Sequence, residues 1–328
     1  MADFNFLLVL PVVCLSAYAL LSLLLAPFLR GNSRALALVS LVGLGMTGVT
    51  LWRLWMLCSE VGPMETAFGL VRIDGFGLVF SFILLIVAIL SVLVSMTFLE
   101  RERADQGEFY ALILFCLAGM YLMLHTTHLM MVLIGLEVFS LALYVMTGMT
   151  RGRVRSIESA LKYFLLGAFS SGFMVYGLAL LYGATGSLDM LRISAVAASA
   201  PGPMLWIGLG LLLVGILFKI GVVPFHQWVP DVYQGAPTNV TGFMAAATKT
   251  VAFAVLLRLL LGAFGEHDGI WIPMISWLAI LTMTVGNLIA LAQTNLKRML
   301  AFSSIAHAGY LLIAVVCQPE AGVRAILF

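Results

Sequence analysis

Four ionisable side chains stand inside apolar stretches long enough to cross a membrane. They are Glu137, Lys162, Lys219 and Lys249. A charge at the centre of a membrane helix costs about 2.5 to 3.5 kcal/mol on insertion scales. Each of the four must therefore be stabilised by an ion pair or by water, or be retained because the function requires it. Ionisable groups at membrane depth are typical of proton and ion pathways. The chemistry that these residues indicate is therefore the movement of charge across a membrane.

Lys249 is the strongest of these candidates. It lies near the middle of the apolar run 239–263, where its ammonium group has no short route to the membrane surface. Its alanine and threonine neighbours allow another helix to approach closely, which suits a protein-lined interior. Because burial disfavours the charged form of a lysine, a residue here suits the loading and release of a proton.

Lys219 lies just before a predicted break in its helix. Three prolines and two glycines follow it, namely Pro224, Pro230, Pro237, Gly221 and Gly235. Prolines remove backbone donors, and broken helices are where transporters place charged sites. The simpler alternative is a lysine that snorkels from a helix end. The apolar sequence GVVP that follows Lys219 argues against it.

Glu137 and Lys162 are complementary charges on successive apolar runs, and a carboxylate beside a lysine keeps both charged. Such a pair could act as a switch, although the sequence does not show that the two side chains meet. Glu158 lies four residues before Lys162, on the same face of a helix. The alternative that Lys162 only pairs with Glu158 near the cytoplasmic end of its helix therefore stays open.

Histidines are weaker candidates for the same chemistry. His226 follows the predicted helix break and His307 stands within an apolar run, so proton relay and structural hydrogen bonding are equally favoured for both. For His125, His128 and His267 the structural interpretation is favoured, because they lie at or beyond the ends of apolar runs.

Composition identifies the elements that must position these residues. Hydrophobic residues make up 62% of the 328 and charged residues 10%, and the mean hydropathy is +1.11. Soluble domains carry roughly 25% charged residues, so the chain is predicted to be a polytopic membrane protein. The net charge of +2, with no basic run, excludes nucleic acid as an expected partner. The four cysteines show no paired spacing that would indicate a zinc site, an iron–sulfur cluster or a disulfide framework.

Apolar runs predict ten membrane helices. Their approximate limits are 4–28, 34–58, 75–99, 108–125, 127–149, 160–182, 204–223, 239–263, 270–293 and 300–317. An eleventh run begins at Ala321, so we expect the sequence to be part of a longer chain. The first run lacks a basic flank and a cleavage site, which favours a retained helix over a signal peptide.

Short loops predict the orientation, because lysine and arginine collect on the cytoplasmic side. Basic residues concentrate after the first, third, fifth and ninth helices, at Arg30, Arg34, Arg101, Arg103, Arg151, Arg153, Arg155, Lys297 and Arg298. The alternate loops hold few, such as Arg72 and Arg192. The N-terminus is therefore predicted to face the periplasm.

Two strings resemble a known family: FKIGVVPFHQWVPDVYQGAPTNVTGFMAAATKTVAFAVLLR and AQTNLKRMLAFSSIAHAGYLL. The pattern PFHxWxPD is shared by the pumping subunits of respiratory complex I and by Mrp-type cation/proton antiporters. PDVYQGAPT, the AATK helix and QTNLKRMLAFSSIAH together resemble the antiporter-like subunit N of proton-pumping NADH:quinone oxidoreductase (bacterial NDH-1). The resemblance covers roughly residues 70 to 328.

The resemblance implies a fold of fourteen helices with two inverted five-helix repeats, each containing one broken helix. The expected fold class is thus all-α, a polytopic transmembrane helix bundle with a discontinuous seventh helix and a truncated second repeat. The corresponding division is 1–107 for the first three helices, 108–263 for the first five-helix unit and 264–328 for the start of the second. The family's lysine on the twelfth helix would lie beyond Phe328.

The resemblance also implies roles for the candidate residues. Glu137 matches the glutamate of the fifth helix, Lys162 the lysine of the sixth, Lys219 that of the broken helix, and Lys249 the central lysine of the proton path. Subunit N holds no redox centre, so NADH, FMN, iron–sulfur clusters and quinone are expected in other subunits. Expected partners are the other membrane-arm subunits, the lipid bilayer and protons, in the bacterial inner membrane.

Two alternatives remain open from the sequence. An Mrp-type antiporter subunit would exchange sodium for protons, and it shares part of the motif. A structural membrane subunit would use the same lysines in static ion pairs. In that case apolar residues in place of both Glu137 and Lys219 would leave function intact.

Overall fold

The computed structural model describes residues 4–29, 32–101, 107–150, 152–199 and 201–317, with 322 and 324–326 beyond them. Twelve α-helices account for most of these residues: α1 (Phe6–Leu25), α2 (Ser33–Val61), α3 (Gly75–Arg101), α4 (Glu108–Leu124), α5 (Leu129–Thr147), α6 (Val154–Thr185), α7 (Met190–Ser199), α8 (Pro203–Ile220), α9 (Trp228–Gly235), α10 (Thr238–Leu257), α11 (Asp268–Leu291) and α12 (Leu296–Val316). A π-helical segment, Arg258–Ala263, continues α10, and a short 3-10 turn, Gly265–His267, precedes α11.

The helices confirm the predicted class of multi-pass membrane protein. Within the described ranges, nine helical segments are long and apolar enough to cross a membrane, and α4 is just shorter at 17 residues. Together they account for all ten predicted runs. The ten-residue helix α7 is an addition, which the hydropathy pattern did not predict because ten residues are too few to cross a membrane. The predicted start of an eleventh helix at Ala321 lies outside the described residues.

A small antiparallel β-hairpin joins α2 to α3 and was also not predicted. Its strands, Met64–Thr66 and Val71–Ile73, pair Met64 with Ile73. The hairpin is fixed to the turn between α4 and α5, where the Arg72 N–H donates to the His125 carbonyl at 3.0 Å. Three-residue strands are too short to give a periodic signal in the sequence, which explains why the pattern did not reveal them.

The chain forms two compact units by its contacts. The first comprises Met1–Thr150 and Pro237–Val251, and the second comprises Arg151–Ala236 and Ala252–Phe328. In the first unit α4 is buried on nearly every side, as expected for a helix that is apolar all round. It packs closely on α5, since a Cβ atom added at Gly119 would lie 2.6 Å from the Gly135 carbonyl oxygen.

Glycines bring α6 and α8 equally close in the second unit. A Cβ atom added at Gly177 would lie 2.6 Å from the Leu212 backbone nitrogen. Small residues at such crossings let membrane helices gain packing energy that larger side chains would prevent. This crossing places α6, which carries Lys162, directly against α8, which carries Lys219.

Candidate functional site

The predicted helix break lies between α8 and α9. Gly221 follows the last residue of α8 in the left-handed conformation, with φ +82°, and its N–H donates to the Leu217 carbonyl at 2.9 Å. This is a glycine cap, which ends a helix because residues with a Cβ atom adopt the left-handed region at a cost. Residues 221–227 are not helical, and the chain resumes as α9 at Trp228. The seventh membrane helix is therefore discontinuous, as the prolines and glycines predicted.

The unwound backbone at the break is satisfied by a side chain. The Val223 N–H donates to the Thr282 hydroxyl of α11 at 3.1 Å, and that hydroxyl donates to the Leu278 carbonyl at 2.6 Å. Irregular backbone at membrane depth is tolerated only where protein or water satisfies its polar groups. The break is thus supported inside the second unit.

Lys219 is buried at the C-terminal end of α8, with 2% of its surface exposed. Its ammonium nitrogen lies 5.2 Å from the centre of the Tyr163 ring and 5.7 Å from that of Phe218. Aromatic faces and the negative end of a helix dipole both stabilise a cation. The burial argues against a snorkelling lysine and supports the interpretation of Lys219 as an interior charge.

An aromatic stack connects α6 to both halves of the broken helix. The rings of Tyr163 and Trp228 lie parallel, with centres 4.6 Å apart and an angle of 11° between the planes. The Trp228 indole N–H donates to the Phe218 carbonyl at 2.8 Å. Tyr163 and Trp228 are both fully buried, so the stack holds the start of α9 against the end of α8 beside Lys219.

Lys162 belongs to an ion cluster formed by α6, α9 and α12. Its ammonium nitrogen lies 2.6 Å from the Glu158 carboxylate and 3.0 Å from Asp231 Oδ2. The other carboxylate oxygen of Asp231 accepts a hydrogen bond from Arg298. A cavity of about 180 Å³ adjoins the cluster and is lined by Arg155, Glu158, Ser159, Lys162, Asp231 and Gln234. The Glu158 partner is the one that helical spacing offered as the alternative for Lys162.

Asp231 and Arg298 are parts of this site that sequence reasoning missed. Asp231 stands in the string VPDVY directly after the break, and Arg298 was noted only as a loop charge that marks orientation. Asp231 lies outside the long apolar helices. Burial raises the pKa of its carboxyl group, but hydrogen bonds from Arg298 and Lys162 outweigh this effect and hold the pKa below its ordinary value. The side chain is therefore a carboxylate at neutral pH.

Lys249 lies in α10, within the part of the helix that belongs to the first unit. It is buried, with 9% of its surface exposed. The hydroxyls of Thr248 and Thr250 donate to carbonyls of their own helix, at 2.6 Å and 2.9 Å. The lysine is thus enclosed by protein, as its small neighbours predicted.

Glu137 is half-buried on α5. It belongs to the first unit, like Lys249, whereas Lys162 and Lys219 belong to the second. Lys162 pairs with Glu158 and Asp231. The complementary role suggested for Glu137 and Lys162 stays a prediction.

The two candidate relay histidines have different surroundings. His226 is half-buried in the bend at 221–227. His307 is exposed on α12, where its Nδ1 atom lies 2.8 Å from the Ser303 carbonyl oxygen. This contact supplies the structural hydrogen bond that the sequence offered as one of two interpretations, and a relay role for either residue stays a prediction.

Metal-binding side chains are scattered in the described part of the chain. Among these residues, no three histidine, cysteine or acidic side chains come close enough together to hold a metal ion. The cysteines are free thiols, at Cys14, Cys58, Cys116 and Cys317.

Known proteins with the same sequence features are subunits of respiratory enzymes. NADH-quinone oxidoreductase subunit N of Trichlorobacter lovleyi is 44% identical over 332 residues, which cover 99% of this chain and 66% of the relative. The subunit N of Salinibacter ruber is 42% identical and covers 94% of this chain and 61% of the relative. The chain thus spans less than two thirds of the length of these curated relatives.

Solved structures give the same result for the fold. A chain of respiratory complex I from Thermus thermophilus with bound aureothin matches with a TM-score of 0.77 and 40% identity, over 93% of this chain and 64% of that one. A chain of the Mrp complex from Dietzia sp. matches with a TM-score of 0.85 over 98% of this chain and 62% of that one, but at 20% identity it shows the fold alone. These likenesses confirm the predicted antiporter-like fold class.

The sequence model of one family matches most of the chain. It is described as NADH:quinone oxidoreductase/Mrp antiporter, TM, and it covers residues 126–328, which include every candidate site residue. The broken helix and the buried lysines lie within this range. The chain therefore belongs to the NADH:quinone oxidoreductase/Mrp antiporter transmembrane family.

Proposed function

We propose that this chain moves protons across a membrane as an antiporter-like subunit, of the N type, in an NADH:quinone oxidoreductase. The carrying observation is that two lysines, Lys219 and Lys249, are buried at 2% and 9% exposure within apolar helices. Buried lysines are costly and are commonly kept for a task. The identity of 40% or more with subunit N proteins supports the choice of complex.

The proposed proton path uses Glu137, Lys162, Lys219 and Lys249. Electron transfer in other subunits changes the charge pairing around these groups, which changes the proton affinity of Lys249 and so drives its release. One pKa unit corresponds to about 1.4 kcal/mol, so making or breaking one partly buried ion pair is large enough to empty a lysine. His226 and His307 are candidate relay groups beside this path.

The proposal includes the surroundings of the chain. NADH, FMN, iron–sulfur clusters and quinone are bound by other subunits, and this chain acts as a non-redox translocase subunit among membrane-arm neighbours. The membrane is the bacterial inner membrane, with the N-terminus on the periplasmic side. Support for this orientation comes from the loops rich in basic residues, such as the one that holds Lys297 and Arg298.

The test is Lys249→Ala in the assembled enzyme, reconstituted in vesicles. Positioned proton-transfer groups commonly contribute 10² to 10⁴ in rate, so we expect proton pumping and coupled NADH:quinone turnover to fall by at least about tenfold. Thr250→Ala is the matched control, because Thr250 is the next residue of the same helix, is half-buried, and its hydroxyl donates to the Ala246 carbonyl. Wild-type pumping and turnover in Lys249→Ala would disprove the proposal.

The rival function is sodium/proton exchange by an Mrp-type subunit, which the likeness to the Dietzia complex favours at the level of fold. The two functions differ in the ion. We expect proton uptake to be the same with and without sodium, whereas an Mrp-type exchange requires sodium.

A further inference from the structure

Asp231 joins three helices through its two carboxylate oxygens. Oδ2 contacts the ammonium group of Lys162 on α6 at 3.0 Å, and Oδ1 accepts a hydrogen bond from Arg298 on α12. Arg298 also donates to the Gln234 side chain at 3.3 Å, so its guanidinium group is directed at α9. The Asp231 side chain is 33% exposed and that of Arg298 is 34% exposed, so the contacts are open to water but not fully solvated.

Charges around Lys162 leave it with two competing partners. Glu158, on the same helix, lies 2.6 Å away, and Asp231 lies on the neighbouring α9. Arg155 lines the same cavity. Lys219, on α8, has its ammonium nitrogen 5.2 Å from the centre of the Tyr163 ring. When one of two cations that share a carboxylate is removed, the other cation is held more strongly. The reason is that the two positive charges no longer repel each other or compete for the same carboxylate.

We propose that Asp231 is a shared counter-ion whose hold on Lys162 is set by Arg298. Arg298 is a positioning residue, because it acts on Lys162 only through Asp231. The inference rests on the proposed function in one respect, which is that Lys162 is part of the proton path. By the resemblance, Lys162 belongs to the first of the two inverted five-helix repeats and Arg298 to the second. The cluster therefore links the two repeats.

The start of α12 is well suited to transmit such an effect. The Asn295 side chain caps this helix by accepting from the Arg298 N–H at 3.1 Å, which fixes the position of Arg298 on the first turn. The adjacent Lys297 donates to the Ala236 carbonyl at the end of α9, at 3.0 Å. A shift of the first turn of α12 would thus change the contacts of α9 and, through Asp231, those of Lys162.

The experiment measures how fast acetic anhydride modifies Lys162 in the detergent-solubilised complex, read by mass spectrometry. The Lys162 side chain is 43% exposed beside an open cavity, so the reagent has access. Partly exposed ion pairs are worth up to about 1 kcal/mol, which is about fivefold. We therefore expect Arg298→Gln to slow the modification about twofold to fivefold and Asp231→Asn to speed it by a similar factor.

Arg192→Gln is the matched control, since it removes an exposed arginine from α7 in the same unit, and it should leave the rate unchanged. Arg298→Lys should restore part of the wild-type rate. The double variant Asp231→Asn with Arg298→Gln should behave as Asp231→Asn alone. If Arg298→Gln does not assemble, Arg298→Lys replaces it in this cycle.

Two results would overturn the proposal. One is a Lys162 rate that moves in the same direction in both single variants, and the other is an unchanged rate in Arg298→Gln. If a neighbouring subunit shields Lys162 from the reagent, NADH:quinone turnover is measured instead in the two single variants and the double variant. Losses of turnover that add up in the double variant would refute a shared counter-ion. Lysine reactivity does not depend on pumping, so failure here is distinct from a wild-type result for Lys249→Ala.

Discussion

Replacement of Gly221 by alanine tests whether the helix break holds the buried lysine in place. Gly221 has a φ of +82°, and a Cβ atom there would lie 2.8 Å from the Cγ2 atom of Val229. A residue with a Cβ atom costs about 1 to 2 kcal/mol in the left-handed conformation. Val229 is fully buried and β-branched, so it cannot move aside freely, and overpacking adds about 1 to 3 kcal/mol. The expected destabilisation is thus about 2 to 5 kcal/mol.

The assay compares Gly221→Ala with Gly210→Ala, a change in the middle of the same helix. A Cβ atom at Gly210 meets nothing within 4 Å, so alanine there should be neutral or stabilise the helix by up to about 1 kcal/mol. The free energy of unfolding in mixed detergent micelles gives the first readout. Turnover of the assembled enzyme gives the second, because Gly221 lies two residues after Lys219 and a shift of the break displaces the ammonium group.

The reasoning would be refuted if Gly221→Ala matched Gly210→Ala in both measurements. A loss of stability with unchanged turnover would show that the cap supports the fold but not the position of Lys219. The predicted outcome is a loss of both in Gly221→Ala and of neither in Gly210→Ala.

Two further predictions concern packing in the second unit. Gly177→Val should reduce assembly of the chain, because its side chain would meet the Leu212 backbone at the crossing of α6 and α8. The control Gly172→Val should assemble normally, because a Cβ atom added there has nothing within 4 Å. Immunoblots of membrane fractions measure the amount of both variants. Trp228→Phe keeps a ring for stacking on Tyr163 but loses the donor to the Phe218 carbonyl, so it should lower the free energy of unfolding by about 1 to 3 kcal/mol, and an undiminished value would contradict the role given to that hydrogen bond.

The sequence predicted most of the helices because their signals are local. Apolar length gave the membrane runs, and the prolines and glycines after Lys219 gave the break between α8 and α9. The short helix α7 and the hairpin at 64–73 were missed, since neither is long enough to show a clear period.

The ion cluster shows why the site was only partly predictable. Helical spacing identified the Glu158 partner of Lys162, because residues four apart share a face. Asp231 and Arg298 come from elements 69 and 136 residues further along the chain, and only the fold brings them to Lys162. The burial of Lys219 and Lys249 was correctly expected, because apolar flanks on both sides are visible in the sequence itself.

The hydrogen bond between the Val223 N–H and the Thr282 hydroxyl bears on how the broken helix could move. The bend at 221–227 is tied to α11 by this side-chain hydrogen bond, at 3.1 Å, while the Tyr163 and Trp228 rings fix the start of α9. An intact helix could change direction at this point only by losing several backbone hydrogen bonds at once. Here the backbone is already unwound, so loss of the bond between Val223 and Thr282 would remove about 1 kcal/mol of support from the bend, which is less than a change of one pKa unit on a nearby lysine supplies.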